Sequence, residues 1–129
     1  MTKQDLPPEV RDLVMRLVHS MEEVEILLLL AGEPASLSFA EIVDRLRLTD
    51  TASLRASLSH LIATALVACD DATGRYAYAA RDARTRSAVE LLRVAYNERP
   101  VTLVRLVYSR PSLAQSFADA FRINKDDEP

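Results

Sequence analysis

Few side chains in this sequence have the chemistry to act on another molecule, and their spacing limits what each can do. The histidines are His19 and His60, the single thiol is Cys69, and the densest carboxylate run is "EEVE", Glu22 to Glu25. On a helix Glu22 and Glu25 share a face while Glu23 points elsewhere. No histidine joins them, so the run reads as a solvated helix start whose charge favours the positive end of the helix dipole. His19 falls near the end of a first helix, where an imidazolium favours the opposite dipole end. His60 reads either as a half-exposed helix residue or as a contact to a bound molecule. Cys69 has no second cysteine and no electropositive neighbours in sequence, so it reads as a small packed side chain, not a redox centre. The chain carries no nucleophile with its base, no paired-carboxylate site, no glycine-rich phosphate loop and no cysteine–histidine metal spacing. Neither enzymatic activity nor a cofactor or resident metal is expected.

The elements that must position these residues follow from composition and periodicity. At 129 residues with 49% hydrophobic side chains, the chain has enough apolar material for one core without disulfide staples. A lone cysteine fits a reducing, cytoplasmic setting. "MTKQDLPPEV" lacks a basic-then-apolar signal pattern, and "VEILLLLA" is too short to span a bilayer, so no membrane association is expected. Two glycines in the whole chain argue for helices joined by short connections.

Val10, Leu13, Val14, Leu17 and Val18 recur at helical steps after "LPP", whose prolines suit a first turn. Ser20 and Glu23 have capping-box spacing, placing a second helix from Met21 to near Gly32, buried on most sides by its leucine run. Ser38 and Glu41 repeat that spacing before a short third helix, and Asp50 or Thr49 caps a fourth. There Leu54, Leu58, Leu61, Ile62 and Leu66 form one stripe. Val67–Cys69 and Tyr76–Ala79 read as two strands turned by Gly74, with Tyr76 and Tyr78 packing on one face. From Ala83 the pattern is helical again, with Val89, Leu92 and Tyr96 on one face; Pro100 either breaks that helix or starts the next. Val104, Leu106, Val107 and Tyr108 continue the apolar pattern, and "SLAQSFADAFRI" gives a last short helix with Leu113, Phe117 and Phe121. The expected organisation is an N-terminal helix over 1–19, a winged helix-turn-helix over 20–80, a helical extension over 81–125, and a disordered tail over 126–129. The fold class is mainly α with a small β-hairpin wing.

Residues 20–80 resemble the winged-helix DNA-binding domain of bacterial transcription regulators, in the general style of the MarR-like group. The resemblance rests on "FAEIVDRLRLTDTASLRASLSHLIATALVACDDATGRYAYA". A short helix holding "AEIVDRL" precedes a helix that ends "LSHLIATALV", with Ala65 where the family pattern has glycine. The resemblance implies that the helix from Thr51 to Thr64 enters the DNA major groove. Thr51, Ser53, Arg55, Ser59 and His60 would then face double-stranded DNA, with Arg55 the one fork for guanine or phosphate. Thr73 and Arg75 on the wing would touch the backbone, and Arg45 and Arg47 flanking phosphates.

Charge runs against that use. Residues 38–80 carry four arginines against five acidic side chains, whereas residues 81–125 carry nine basic against four acidic. A DNA site typically neutralises about 6–10 phosphates, so the positive potential sits outside the expected reading head. "RDARTR", residues 81–86, reads as a phosphate-contacting link or as the soluble start of a long helix. The apolar C-terminal third exceeds what one small winged domain needs, and it is expected to build a homodimer, two-fold symmetry being the commonest. The alternative is an adaptor that docks another protein and leaves DNA untouched, its C-terminal arginines meeting an acidic partner.

Overall fold

A computed structural model of the chain describes residues 6–109. The sequence-expected helix from Ser112 and the tail over 126–129 lie outside them. Among the described residues the order is α1 (Pro8–Leu17), α2 (Met21–Gly32), α3 (Phe39–Leu46), α4 (Thr51–Ala63), β1 (Val67–Cys69), β2 (Tyr76–Tyr78), α5 (Ala83–Glu98) and α6 (Pro100–Ser109). The architecture is mainly helical with one small antiparallel hairpin. No helix among the described residues is long and apolar enough to cross a membrane.

Local chemistry sets most boundaries. Ser20 accepts the Glu23 N–H at the start of α2, and Ser38 and Glu41 form a reciprocal capping box on α3. Asp50 caps α4 and Asp82 caps α5, each accepting a backbone N–H three residues on. Pro100 starts α6 and leaves α5 to end at Glu98, which decides between the two readings of that proline. Its missing N–H falls where a helix has no internal acceptor for it.

The core forms around α2, whose Val24, Ile26 and Leu27 are fully buried. α2 packs against α3, α4 and β2, while α1 packs on α5 and α6. Val10 and Val14 from α1, Ile42 from α3, Leu54, Leu58 and Leu61 from α4, and Val89 and Leu92 from α5 belong to the same cluster. On α6 the buried positions are Leu103 and Val107, whereas Val104 and Tyr108 face outward. α6 is apolar on two faces, so periodicity cannot say which face α1 and α5 cover.

The hairpin pairs Val67 with Tyr78, Ala68 with Ala77 and Cys69 with Tyr76. Its turn is closed by the Gly74 N–H on the Asp70 carbonyl, with Gly74 at φ 70°. Leu37, on the link from α2 to α3, exchanges both backbone hydrogen bonds with Tyr76, at 2.9 and 2.7 Å. This bridge fixes the hairpin against the start of α3.

α4 ends at Ala63, one residue before the expected Thr64. Ala65 then turns the chain in the left-handed region, at φ 65°. The Leu66 N–H reaches the Leu61 carbonyl and the Ala65 N–H that of Ile62, a left-handed C-terminal cap of the kind glycine usually fills. An L-residue there costs roughly 1–2 kcal/mol, partly offset by the greater unfolded-state entropy of glycine. Ala65→Gly is therefore expected to stabilise the protein by about 0.5–1 kcal/mol. Urea denaturation measures this, and an unchanged or lowered midpoint would count against the strained cap.

Candidate functional site

α4 has two polar faces with different fates. Ser53, Ser57 and His60 recur at helical spacing beside the leucine stripe and turn toward the N-terminus of α2. Glu22 Oε1 accepts hydrogen bonds from both Ser53 Oγ and Ser57 Oγ, each at 2.7 Å. Glu23 Oε1 lies 2.9 Å from His60 Nδ1 and accepts the His19 backbone N–H at 2.8 Å. Glu23 is 5% exposed, so these partners replace the water it has lost. The His19 ring stacks on the His60 ring with centroids 3.7 Å apart and planes at 27°.

This overturns the sequence reading of "EEVE" as a solvated helix start that no histidine joins. Glu22 and Glu23 both turn inward to α4, and the histidine that joins Glu23 comes from 37 positions away. His19 sits beyond α1, in the link to α2, not within the helix end. The available signal was the series 53, 57 and 60, polar residues at helical spacing hard against a buried stripe, which demands a polar counterpart on the facing element.

The outward face of α4 carries Thr51, Arg55 and Ser59, all exposed, together with Ala52, Ala56, Ile62 and Ala63. Of the nine residues expected to contact DNA, the structure brings these first three onto one surface. Ser53 and His60 are committed to Glu22 and Glu23. Arg55 lies over the Phe39 ring, its guanidinium carbon 4.4 Å from the centroid. Arg45 Nη1 bonds Glu33 Oε2 at 2.7 Å, which raises the arginine's pKa above its usual value, the hydrogen bond first and the charge next. Arg75 folds back from the hairpin: its Nη2 donates to the Ser36 carbonyl at 2.8 Å and to Glu41 Oε1 at 2.9 Å, and its Nε donates to Ser36 Oγ at 3.1 Å. Glu41 is held below the usual carboxylate range, chiefly by the Ser38 backbone N–H and also by Arg75. Arg47 is exposed at the end of α3, at φ 54°, and Thr73 is exposed in the hairpin turn.

A second feature lies between α2 and α5. A cleft of about 410 Å³ is lined by Glu25, Leu28, Arg45, Arg47, Arg93 and Tyr96. Tyr96 Oη donates to Glu25 Oε2 at 3.0 Å, and burial followed by that bond raises the phenol's pKa. Arg93 donates to the Leu28 carbonyl at 3.2 Å, spending part of its fork inside the fold.

No family model, curated protein or solved structure matches the chain. Function therefore has to follow from the geometry of these faces.

The two faces of α4 differ in what a substitution removes. Ser57→Ala takes a hydrogen bond from a partly buried carboxylate and is expected to cost about 1–2 kcal/mol, at the low end for bonds to charged groups because Glu22 keeps Ser53. Ser59→Ala, on the outward face, is expected to stay within about 0.5 kcal/mol. Urea denaturation of the two variants checks the division, and equal losses would contradict it.

Proposed function

We propose that residues 20–80 form a winged helix-turn-helix module that docks a protein partner on the outward face of α4 and the adjoining hairpin. The order α3, turn, α4, hairpin supports the module, and the engagement of its cations supports the docking role. Arg45 and Arg75 are held by Glu33 and Glu41, and Arg55 lies on Phe39. What that face shows beside Arg55 is small and uncharged, Thr51, Ala52, Ala56, Ser59, Ile62 and Ala63, flanked by exposed Asp50, Asp70 and Asp71 and by exposed Arg47. A duplex asks for about 6–10 phosphate contacts, and this surface offers few. Small side chains with one partly exposed isoleucine instead let another protein's backbone approach closely.

The same reading pairs two copies through α5 and α6. On α6 Val101, Val104 and Tyr108 recur at helical spacing and are 63%, 37% and 68% exposed, and Val94 on α5 is 47% exposed, which supports an apolar contact face.

One observation favours a second reading, a DNA-binding transcription regulator. Arg81, Arg84 and Arg86 are exposed directly after the hairpin, and a dimer doubles them. Fluorescence anisotropy with a labelled random-sequence duplex at low salt separates the two. The docking reading expects no saturable binding up to about 100 µM, the weak end of nonspecific DNA affinity. It also expects a stoichiometric protein partner to survive nuclease treatment and to be lost with Ser59→Arg. Salt-dependent duplex binding abolished by replacing Arg81, Arg84 and Arg86 with alanine would overturn docking in favour of DNA.

A further inference from the structure

The contact between α4 and the start of α2 brings two imidazoles and one carboxylate together. Each of His19, Glu23 and His60 offers a donor atom, and the three donors lie within 4.8 Å of one another. We propose that His19, Glu23 and His60 form a binding site for a divalent transition-metal ion of the zinc class. The inference is independent of what the outward face of α4 binds.

The donor chemistry selects the ion. Two imidazoles and a carboxylate suit zinc, nickel or copper, whereas calcium and magnesium favour all-oxygen shells. Three protein ligands leave a fourth position for water, the usual arrangement of an open zinc site. Metal–ligand bonds of about 2.0–2.2 Å put donors around a tetrahedral ion about 3.3–3.5 Å apart. The widest gap therefore has to close by about 1.5 Å at most, while the His60 Nδ1–Glu23 Oε1 pair, at 2.9 Å, has to open by about 0.5 Å and release any proton held between them.

Two of the ligands are already placed. Glu23 is buried on the first turn of α2, and His60, on α4, holds its Nδ1 at 2.9 Å from Glu23 Oε1. Both ride on helices locked into the core by Val24 and Leu61, each fully buried. His19 supplies the adjustment. The nitrogens of stacked rings lie side by side in their own planes, so both rings cannot aim at one ion in the stacked arrangement. His19 has to tilt out of the stack, and it is exposed in the short link between Leu17 and Ser20. The metal would then fasten the α1–α2 link to α4 across the same contact that Glu22 makes through Ser53 and Ser57.

Hydrogen bonding alone accounts for the His60–Glu23 pair. The His19 backbone N–H on Glu23 brings a second imidazole beside the same carboxylate, and the convergence of two imidazoles and a carboxylate with donors within 4.8 Å is what points to a metal.

The test is titration of the full chain with Zn2+ against a chromophoric chelator, with Co2+ as a spectroscopic probe and Mg2+ as a control. The wild type is expected to bind one equivalent of Zn2+, to show visible d–d absorption with Co2+, to gain thermal stability with Zn2+, and to ignore Mg2+. His19→Ala is the decisive single variant, because an exposed link residue can be lost without unfolding the core. It is expected to weaken Zn2+ binding at least about 10-fold, the smallest loss usual even for an outer-shell partner. His19→Cys, which restores a zinc ligand, should recover binding. Glu23→Gln and His60→Ala should weaken it comparably, with folding checked by circular dichroism. The proposal is overturned if the wild type binds no stoichiometric Zn2+. It is equally overturned if the His19→Ala/His60→Ala double variant binds as the wild type does.

Discussion

The attachment of α4 to α2 depends on two adjacent carboxylates, Glu22 and Glu23, in the first turn of α2. They satisfy the N-terminal end of that helix's dipole, where negative charge is favourable, and they also lie against a neighbouring helix, where charge is costly unless hydrogen-bonded. The sequence of α4 meets that cost with Ser53, Ser57 and His60, while the His19 backbone N–H approaches Glu23 from the preceding link. Four separate partners thus converge on two side chains, and the leucine stripe of α4 is seated beside them. Burial of the leucine stripe holds the two helices together and sets the rotation of α4 coarsely, leaving a choice among neighbouring rotations. The directional bonds to Glu22 and Glu23 supply that choice.

Fixing the rotation of α4 fixes which residues it shows to solvent. With positions 53, 57 and 60 turned in, positions 51, 52, 55, 56, 59, 62 and 63 turn out, and only one of these is charged. The hairpin is held in the same way, by the Leu37–Tyr76 bridge and by Arg75 on Ser36 and Glu41. Of the four head arginines expected to meet a nucleic acid, Arg45 and Arg75 are taken up by Glu33 and Glu41, leaving Arg47 and Arg55 exposed. A docking role for another protein and a metal site at the inner contact are both consequences proposed from this one arrangement, and they occupy opposite faces of the same helix.

Where local chemistry governs, the sequence was legible. Ser20 and Gly32 bracket α2, Ser38 and Glu41 start α3, and Val67–Cys69 begins the hairpin, each by a cap, turn or alternation spanning a few residues. Glu23 illustrates the limit. Its spacing from Ser20 foretells a reciprocal capping box, yet its carboxylate accepts the N–H of His19 and reaches His60. Nothing within a helical turn of Glu23 announces a partner on another helix. Arg75 likewise reads from sequence as a wing contact to the DNA backbone, because its partners Ser36 and Glu41 lie more than thirty positions away. On α6 both faces are apolar, so the choice of Leu103 and Val107 for burial belongs to tertiary packing alone. The organisation into a head over 20–80 and a helical extension over 81–125 stays an expectation from sequence, since one continuous core includes residues from both.

The most direct measurement is a double-mutant cycle on Glu23→Ala and His60→Ala, followed by urea denaturation with a chelator present. If the pair fixes α4 against α2, the two losses are coupled by about 1–3 kcal/mol, the double variant losing less than the sum of the singles. Losses that add to within about 0.5 kcal/mol would mean that the carboxylate and the imidazole are neighbours without being partners. The rotation of α4, and with it the outward face, would then have to be set by apolar packing alone.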